Sequence, residues 1–363
     1  MSFFLTFLFA FAVSIVVYPL VKKVALRSGA ISVPHKDRHI HEKPIPLLGG
    51  LSIIIGFGFS ILMNYLFNTS FVASWELIGL AAGIVIIMAM GILDDIHELK
   101  PSIKALFQIA AAVTAILISG SRFESFTNPT DINTVIILPP VISFLVTIFW
   151  IFALTNAFNL VDGLDGLAGG TGAICALTLF VISLIRPDAE MVGSYVSIVL
   201  IALAGGCLGF LPFNFNPAKI FMGESGSAFI GFTLALVSIQ GTLKSYAALS
   251  LFIPIIAFGL PILDIILAFL RRIIKRRPVS QGDRQHIHHR LIDMGLSQKN
   301  TVLILYSASI LLGIFSILLA GQGMQNMGYL LIILLAIMIM AVLFLYIPSH
   351  SRKGDSMNDH EKN

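Results

Sequence analysis

Four short polar stretches interrupt an otherwise apolar chain: Asp94-Asp95, Asn156 to Asp165, Asn214 to Ser227, and Asp283 to Arg290. Two adjacent carboxylates such as Asp94 and Asp95, at the end of an apolar run, repel each other and are costly to desolvate. A divalent cation relieves both problems. Mg²⁺ held by one or two carboxylates plus substrate phosphates is the usual arrangement in phosphoryl chemistry. The plain alternative is a helix-end pair left in water. In Asn156-Ala-Phe-Asn-Leu-Val-Asp-Gly-Leu-Asp-Gly-Leu-Ala-Gly-Gly170, the residues Asn156, Asn159 and Asp162 recur at a spacing of three and share one face of a continuing helix. Gly163, Gly166 and Gly169 leave backbone open to the close approach of a ligand. Asp165 adds a second acceptor. This set suits hydrogen bonding to a nucleobase or a sugar, and it exceeds what helix capping alone requires.

The third stretch holds one carboxylate, Glu224, followed by Ser-Gly-Ser. A helix start of this kind offers free N–H groups to anions, phosphate included. Its plain alternative is that Glu224 and Ser225 simply cap the helix. Lys219 and Phe221 add a cation and an aromatic face. The fourth stretch places His286, His288 and His289 within four residues. Zinc is one reading, but no cysteine is near and no H-x₃-H spacing is present. Phosphate binding fits as well, since the three histidines, Arg284 and Arg290 all donate. Asp264 is an ionisable residue near the end of an apolar segment, with Arg271 and Arg272 expected as its partners. Lys104 sits about one turn inside a helix, from which it can snorkel to the interface.

The elements that must position these residues are membrane spans. The chain has 363 residues, 57% hydrophobic and only 12% charged, too few polar residues to cover a water-facing surface. Spans of about 20 apolar residues are expected at 2–21, 47–67, 74–93, 103–120, 138–157, 167–185, 192–211, 226–242, 247–270, 301–320 and 328–347. The fold class is therefore an all-α polytopic membrane protein with about 11 transmembrane helices. The segment 2–21 has no basic residue before its apolar run and reads as a retained first helix rather than a cleaved signal. The weakest span is 226–242, which is short and holds several glycines. Cys175 and Cys207 lie in apolar runs and read as small buried hydrophobes with no disulfide.

Counting charge fixes the sidedness. The loops 22–46, 94–102 with the adjoining Lys104, 158–166, 212–225 and 271–300, together with the tail, carry 20 of the 23 Lys and Arg. Only Arg122, Arg186 and Lys244 fall on the other side. The positive-inside rule then puts the N-terminus outside and the C-terminus in the cytoplasm. All four polar stretches fall on the cytoplasmic face, as a single interfacial active site requires. Residues 1–347 form one transmembrane catalytic domain, and 348–363 read as a disordered cytoplasmic tail.

Taken together, these residues resemble the polyprenyl-phosphate N-acetylhexosamine-1-phosphate transferase family, from His41-Glu-Lys-Pro-Ile-Pro-Leu-Leu-Gly-Gly50 to His289. The resemblance implies transfer of a sugar-1-phosphate from a UDP-sugar to undecaprenyl phosphate, with release of UMP and a need for Mg²⁺, Mn²⁺ being the substitute. It implies the bacterial cell (inner) membrane as location and no nucleic-acid partner, and it is compatible with a homodimer. Asp94 and Asp95 match the family's aspartate pair, proposed to deprotonate the lipid phosphate or to bind metal. Asp162 and Asp165 match the stretch that contacts uridine, with Asn156 and Asn159 beside it. Asn214 and Phe221 match nucleotide-site positions, Phe221 as a stacking face. Glu224 stands where the family usually has a metal-binding Asp, and so adds a methylene to that ligand. Lys43 and Lys104 match basic positions near the substrates, and His286, His288 and His289 match the histidine motif. Pro261-Ile-Leu-Asp264 with Arg271-Arg272, and the interrupted histidine run, resemble the N-acetylglucosamine-phosphate branch. Leu47 stands where this branch often has Arg. The alternative is the MurNAc-pentapeptide branch. A secondary transporter is disfavoured, because its ionisable residues would sit near the bilayer midplane.

Overall fold

The computed structural model describes residues 1–33, 44–68, 71–127, 135–185, 189–242, 252–274 and 286–321. Helix α1 spans Phe3–Ser28. The Ser2 hydroxyl caps it by accepting from the Leu5 N–H, and Gly29 ends it in the left-handed conformation. A two-residue hairpin follows, β1 (Ile31–Ser32) antiparallel to β2 (Ile45–Pro46). Then come α2 (Gly50–Phe67), α3 (Trp75–His97) and α4 (Pro101–Ser119). Ser74 caps α3, and Pro101 opens α4 at a position where its missing N–H costs nothing. A second hairpin pairs β3 (Ser125–Thr127) with β4 (Val135–Ile137). The chain continues through α5 (Pro140–Val161), α6 (Leu167–Ile185), α7 (Ala189–Asn214) and α8 (Gly223–Thr242). It ends, as described, with α9 (Phe252–Ala257), α10 (Gly259–Ile274), α11 (Ile287–Asp293) and α12 (Gln298–Gly321).

Among the described residues, eight helices are long and apolar enough to cross a bilayer: α1 to α7 and α12. Their outward faces carry apolar stripes at helical spacing. Val141, Leu145 and Phe149 do so on α5, and Leu311, Ile314 and Leu318 on α12. Such stripes suit lipid rather than water. The protein is a multi-pass membrane protein.

Two expected spans differ from the eight helices long and apolar enough to cross a bilayer. The segment 226–242 is a helix, α8, whose glycines and polar residues leave it outside those eight. Nearly every residue of it is buried in protein, packed against α3 and α5 and also touching α2, α6 and α7. A helix that meets protein on every side needs small residues more than greasy ones. The segment 247–270 is broken at Phe258 into α9 and α10, with Pro254 and Pro261 flanking the break. The segment 328–347 lies outside the described residues.

Close backbone approach fixes the start of α8. A Cβ at Gly50 would overlap the Gly226 backbone, and a Cβ at Gly91 would overlap Ser225. The first turn of α8 is thus wedged between α2 and α3 at contacts only glycine permits. The same region is tied from a third side: Phe221 N–H donates to Pro46 O at 2.9 Å, and Gly49 N–H donates to Phe221 O at 2.9 Å. The ends of α3, α5 and α7 and the starts of α4, α6 and α8 therefore lie at one end of the bundle.

Candidate active site

That end of the bundle encloses a cavity of about 910 Å³. Its walls hold Asp94, Asp95, Asn159, Asp162, Glu224 and His289, with the lysines Lys22 and Lys219 among the other residues that face it. Residues from all four polar stretches thus reach one chamber.

Lys104, in the first turn of α4, lies behind two of these carboxylates. Its ammonium lies 3.2 Å from Asp94 Oδ2 and 3.2 Å from Glu224 Oε2. Asp94 comes from the last turn of α3, and its Oδ1 accepts from the Leu99 N–H at 2.9 Å. Glu224 opens α8, and its Oε1 accepts from Asn159 Nδ2 at 2.9 Å. One Asn159 side chain, one lysine and two carboxylates from four different helices therefore form a continuous chain.

Asp95 has a different job from its neighbour. Its Oδ1 accepts from the Glu224 N–H at 2.8 Å and its Oδ2 from the Ser225 N–H at 3.3 Å. A carboxylate from α3 thus caps the N-terminus of α8, where the helix dipole favours negative charge. The free N–H groups expected there for a phosphate are those that Asp95 occupies. Gly223, with φ +75°, makes this possible, because a Cβ there would press on the Asp95 carboxylate.

Asp162 follows the end of α5 and is half-buried at the cavity wall. Desolvation, followed by the nearby charges of Asp95, Glu224 and Asp165, pushes its carboxyl well above the usual carboxylate range. Asp165 and Asn214 face the cavity but are engaged in holding loops. Asp165 Oδ2 accepts from Asn216 Nδ2 and from the Ala218 N–H, both at 3.0 Å. Asn214 accepts from the Gly166 N–H at 3.1 Å and donates to Ile220 O at 3.0 Å. Asn156 does not reach the cavity. It donates to Gln108 Oε1 at 2.7 Å, joining α5 to α4.

The histidines divide in the same way. His286 Nδ1 lies 2.9 Å from Asp264 Oδ2, and the Ile287 N–H donates to Asp264 Oδ1 at 3.0 Å, so α10 anchors the start of α11. The expected partners of Asp264, Arg271 and Arg272, have side chains outside the described residues; among the described residues its partner is His286. His288 is buried against Gly163, where a Cβ would overlap the imidazole. Burial, reinforced by His289, pushes its pKa down from 6.5 to about 3. His289 turns toward the cavity, as does Phe221. Lys43 and Arg284 lie outside the described residues.

A stability prediction follows from His288. Its folded pKa lies below its ordinary value, so the unfolded chain takes up a proton that the folded chain refuses. Stability should therefore be level above about pH 6.5 and fall as pH drops from there toward about 3. His288→Gln is expected to flatten that fall. Thermal melts of both proteins at about pH 7 and about pH 4.5 check it.

Three contributors belong to no motif. Lys22 lines the cavity but in sequence is one basic residue among several beside α1. Gln298, at the start of α12, accepts from Asn216 Nδ2 at 2.7 Å. Tyr306 donates its hydroxyl to Gly166 O, and the same ring fills the space a Cβ would take at Gly170. Only the Asn214-Phe-Asn216 spacing carried a signal for this network.

The donor set fits Mg²⁺ or Mn²⁺. Every candidate ligand is a hard oxygen. Among the described residues no three His, Cys, Asp or Glu converge as a closed metal cage. Asp94 and Glu224, already gathered around one positive charge, would be the pair to hold such a cation.

The family model for glycosyl transferase family 4 matches residues 77–242, from the start of α3 to the end of α8. A Bacillus subtilis protein named a probable undecaprenyl-phosphate N-acetylglucosaminyl 1-phosphate transferase is 35% identical, over 91% of this chain and 89% of its own length. The chain belongs to glycosyl transferase family 4. A Mycolicibacterium smegmatis decaprenyl-phosphate N-acetylglucosaminephosphotransferase is 36% identical over 79% of this chain and 74% of its own length. An Escherichia coli K12 undecaprenyl-phosphate alpha-N-acetylglucosaminyl 1-phosphate transferase is 27% identical over 82% and 78%. The matched region of this family 4 member contains Asp94, Asn159, Asp162 and Glu224, which line the cavity, and Lys104, which pairs with two of them.

Proposed function

We propose that this family 4 protein transfers GlcNAc-1-phosphate from UDP-GlcNAc to undecaprenyl phosphate and releases UMP. The reaction would be the first step of a cell-envelope polysaccharide such as an O-antigen, common antigen, teichoic acid or capsule. One observation carries the reading. A carboxylate- and lysine-lined cavity opens at the ends of apolar helices, where a lipid phosphate and a water-soluble nucleotide can meet. The names of the relatives support the sugar and the polyprenyl acceptor. The wider reading keeps eleven spans, the N-terminus outside, and the cavity on the cytoplasmic face of the bacterial inner membrane. The basic-residue count supports that sidedness.

In this reading the polyprenyl phosphate oxygen attacks the β-phosphorus of the donor, and the bond from that phosphorus to the UMP oxygen breaks. Both aspartates line the cavity, but both oxygens of Asp95 are taken by N–H groups of α8, so Asp94 is the member of the pair that helps hold the lipid phosphate deprotonated. Asn159 orients Glu224. Lys22, Lys104 and Lys219 lower the repulsion between two anionic substrates. Phe221 offers a face to the uracil ring. Asp94 and Glu224 would hold Mg²⁺, which supplies charge neutralisation at the pyrophosphate. The purified protein should label undecaprenyl phosphate from UDP-GlcNAc when Mg²⁺ is present. UDP-MurNAc-pentapeptide should give no product; label from that donor alone would overturn the branch assignment.

A further inference from the structure

Lys104 occupies a position with two demands on it. Its ammonium is 3.2 Å from Asp94 and 3.2 Å from Glu224, on two helices other than its own. Glu224 is only 7% exposed at its side chain, and Lys104 is the one basic group among the described residues that forms an ion pair with it. A buried carboxylate of this kind cannot simply lose its counter-charge, because leaving it unpaired costs several kcal/mol. Yet Asp94 and Glu224 are also the oxygens best placed for a divalent cation. Both roles cannot be filled fully at once.

We propose that Lys104 is the resting counter-ion of this site. Its ammonium holds Asp94 and Glu224 together until a divalent cation takes the pair, and then swings to the pyrophosphate of the donor. This rests on the cation and UDP-sugar reading above. The exchange is a substitution of charge. The cation supplies more positive charge than the ammonium it displaces, so Glu224 is never left bare. The released ammonium, still inside a partly desolvated cavity, needs an anion in its turn. Lysine suits this exchange, since it carries a compact charge on a flexible stem rather than a rigid fork. Cation and nucleotide then favour each other, and the coupling is reciprocal.

The test uses Mn²⁺ as the probe, with free Mn²⁺ measured by electron paramagnetic resonance against the purified full chain. Without nucleotide, Lys104→Met should bind Mn²⁺ about tenfold more tightly than the native protein, within the range of site–site coupling. UDP should tighten Mn²⁺ binding less in that variant than in the native protein. Lys104→Arg, whose fork grips two carboxylates more firmly, should bind Mn²⁺ more weakly than the native chain, and it answers the question if the methionine variant fails to fold. Equal or weaker Mn²⁺ binding by folded Lys104→Met, or tighter binding by Lys104→Arg, overturns the proposal. Native protein that binds no Mn²⁺ with or without UDP also overturns it. Transfer of label to lipid in the same preparation is read separately, so loss of the transferase reading is told apart from loss of this one.

Discussion

Glu224→Gln is expected to fold normally and to transfer sugar phosphate about 10³-fold more slowly than the native protein, a loss typical of removing one charged group that acts on the transition state. Glu224 is the carboxylate on which the site converges. Its two oxygens face Asn159 Nδ2 and Lys104 Nζ, at 2.9 Å and 3.2 Å. Glutamine keeps the size and one acceptor oxygen. Its amide nitrogen must then face either another amide nitrogen or an ammonium, and the negative charge is gone. The α8 start is otherwise untouched, because the backbone N–H of residue 224 remains capped by Asp95. Glu224→Asp probes the extra methylene. A side chain one carbon shorter cannot reach Asn159 and Lys104 together, so a smaller loss, on the order of tenfold, is expected. Steady-state rates measured over a range of Mg²⁺ concentrations check both variants.

The adjacent aspartates should separate cleanly when each is replaced. Asp95→Ala removes the acceptor for two buried N–H groups at the start of α8. Each buried donor left without a partner costs about 1–3 kcal/mol, so a destabilisation of about 2–4 kcal/mol is expected. The damage should spread, since α8 is the helix that α2, α3, α5, α6 and α7 all touch. Asp95→Asn retains one acceptor and should cost roughly half as much. Asp94→Asn should show the reverse pattern. It leaves α8 capped and the melting temperature nearly unchanged, while transfer falls by about 10²-fold or more. Thermal unfolding and initial rates on the same three preparations distinguish the two roles. Equal loss of stability in Asp94→Asn and Asp95→Ala would contradict the division of labour described above.

Much of this arrangement is legible in the chain because the membrane makes polarity conspicuous. Asp94, Asp162 and Glu224 stand out against their apolar surroundings, and loop parity puts them on one face before any contact is known. The partnerships are less legible. Nothing local in Asp94-Asp95 says that one residue pairs with Lys104 and the other caps a helix some 129 residues later. Asp165 and Asn214 carry the right groups for a ligand, yet the backbone of neighbouring loops has already claimed them. Buried backbone donors must find acceptors somewhere, and polar side chains in a tight loop region serve that need first. The α8 segment misleads for the opposite reason. Its glycines, serines and threonines lower its hydropathy, and hydropathy alone does not tell that this helix is buried among five others. The break at Phe258 was marked by Pro254, Gly259 and Pro261, whose joint effect outweighs a continuous apolar run.

The most direct test of the central claim follows the β-phosphorus. Purified protein would be given UDP-GlcNAc carrying ³²P only at the β-phosphate, together with undecaprenyl phosphate and Mg²⁺. Transfer of sugar phosphate predicts that the ³²P enters the lipid fraction in step with unlabelled UMP release. If sugar reaches the lipid while the ³²P stays in the aqueous phase as UDP, the chemistry is glycosyl transfer and the account of this site is wrong.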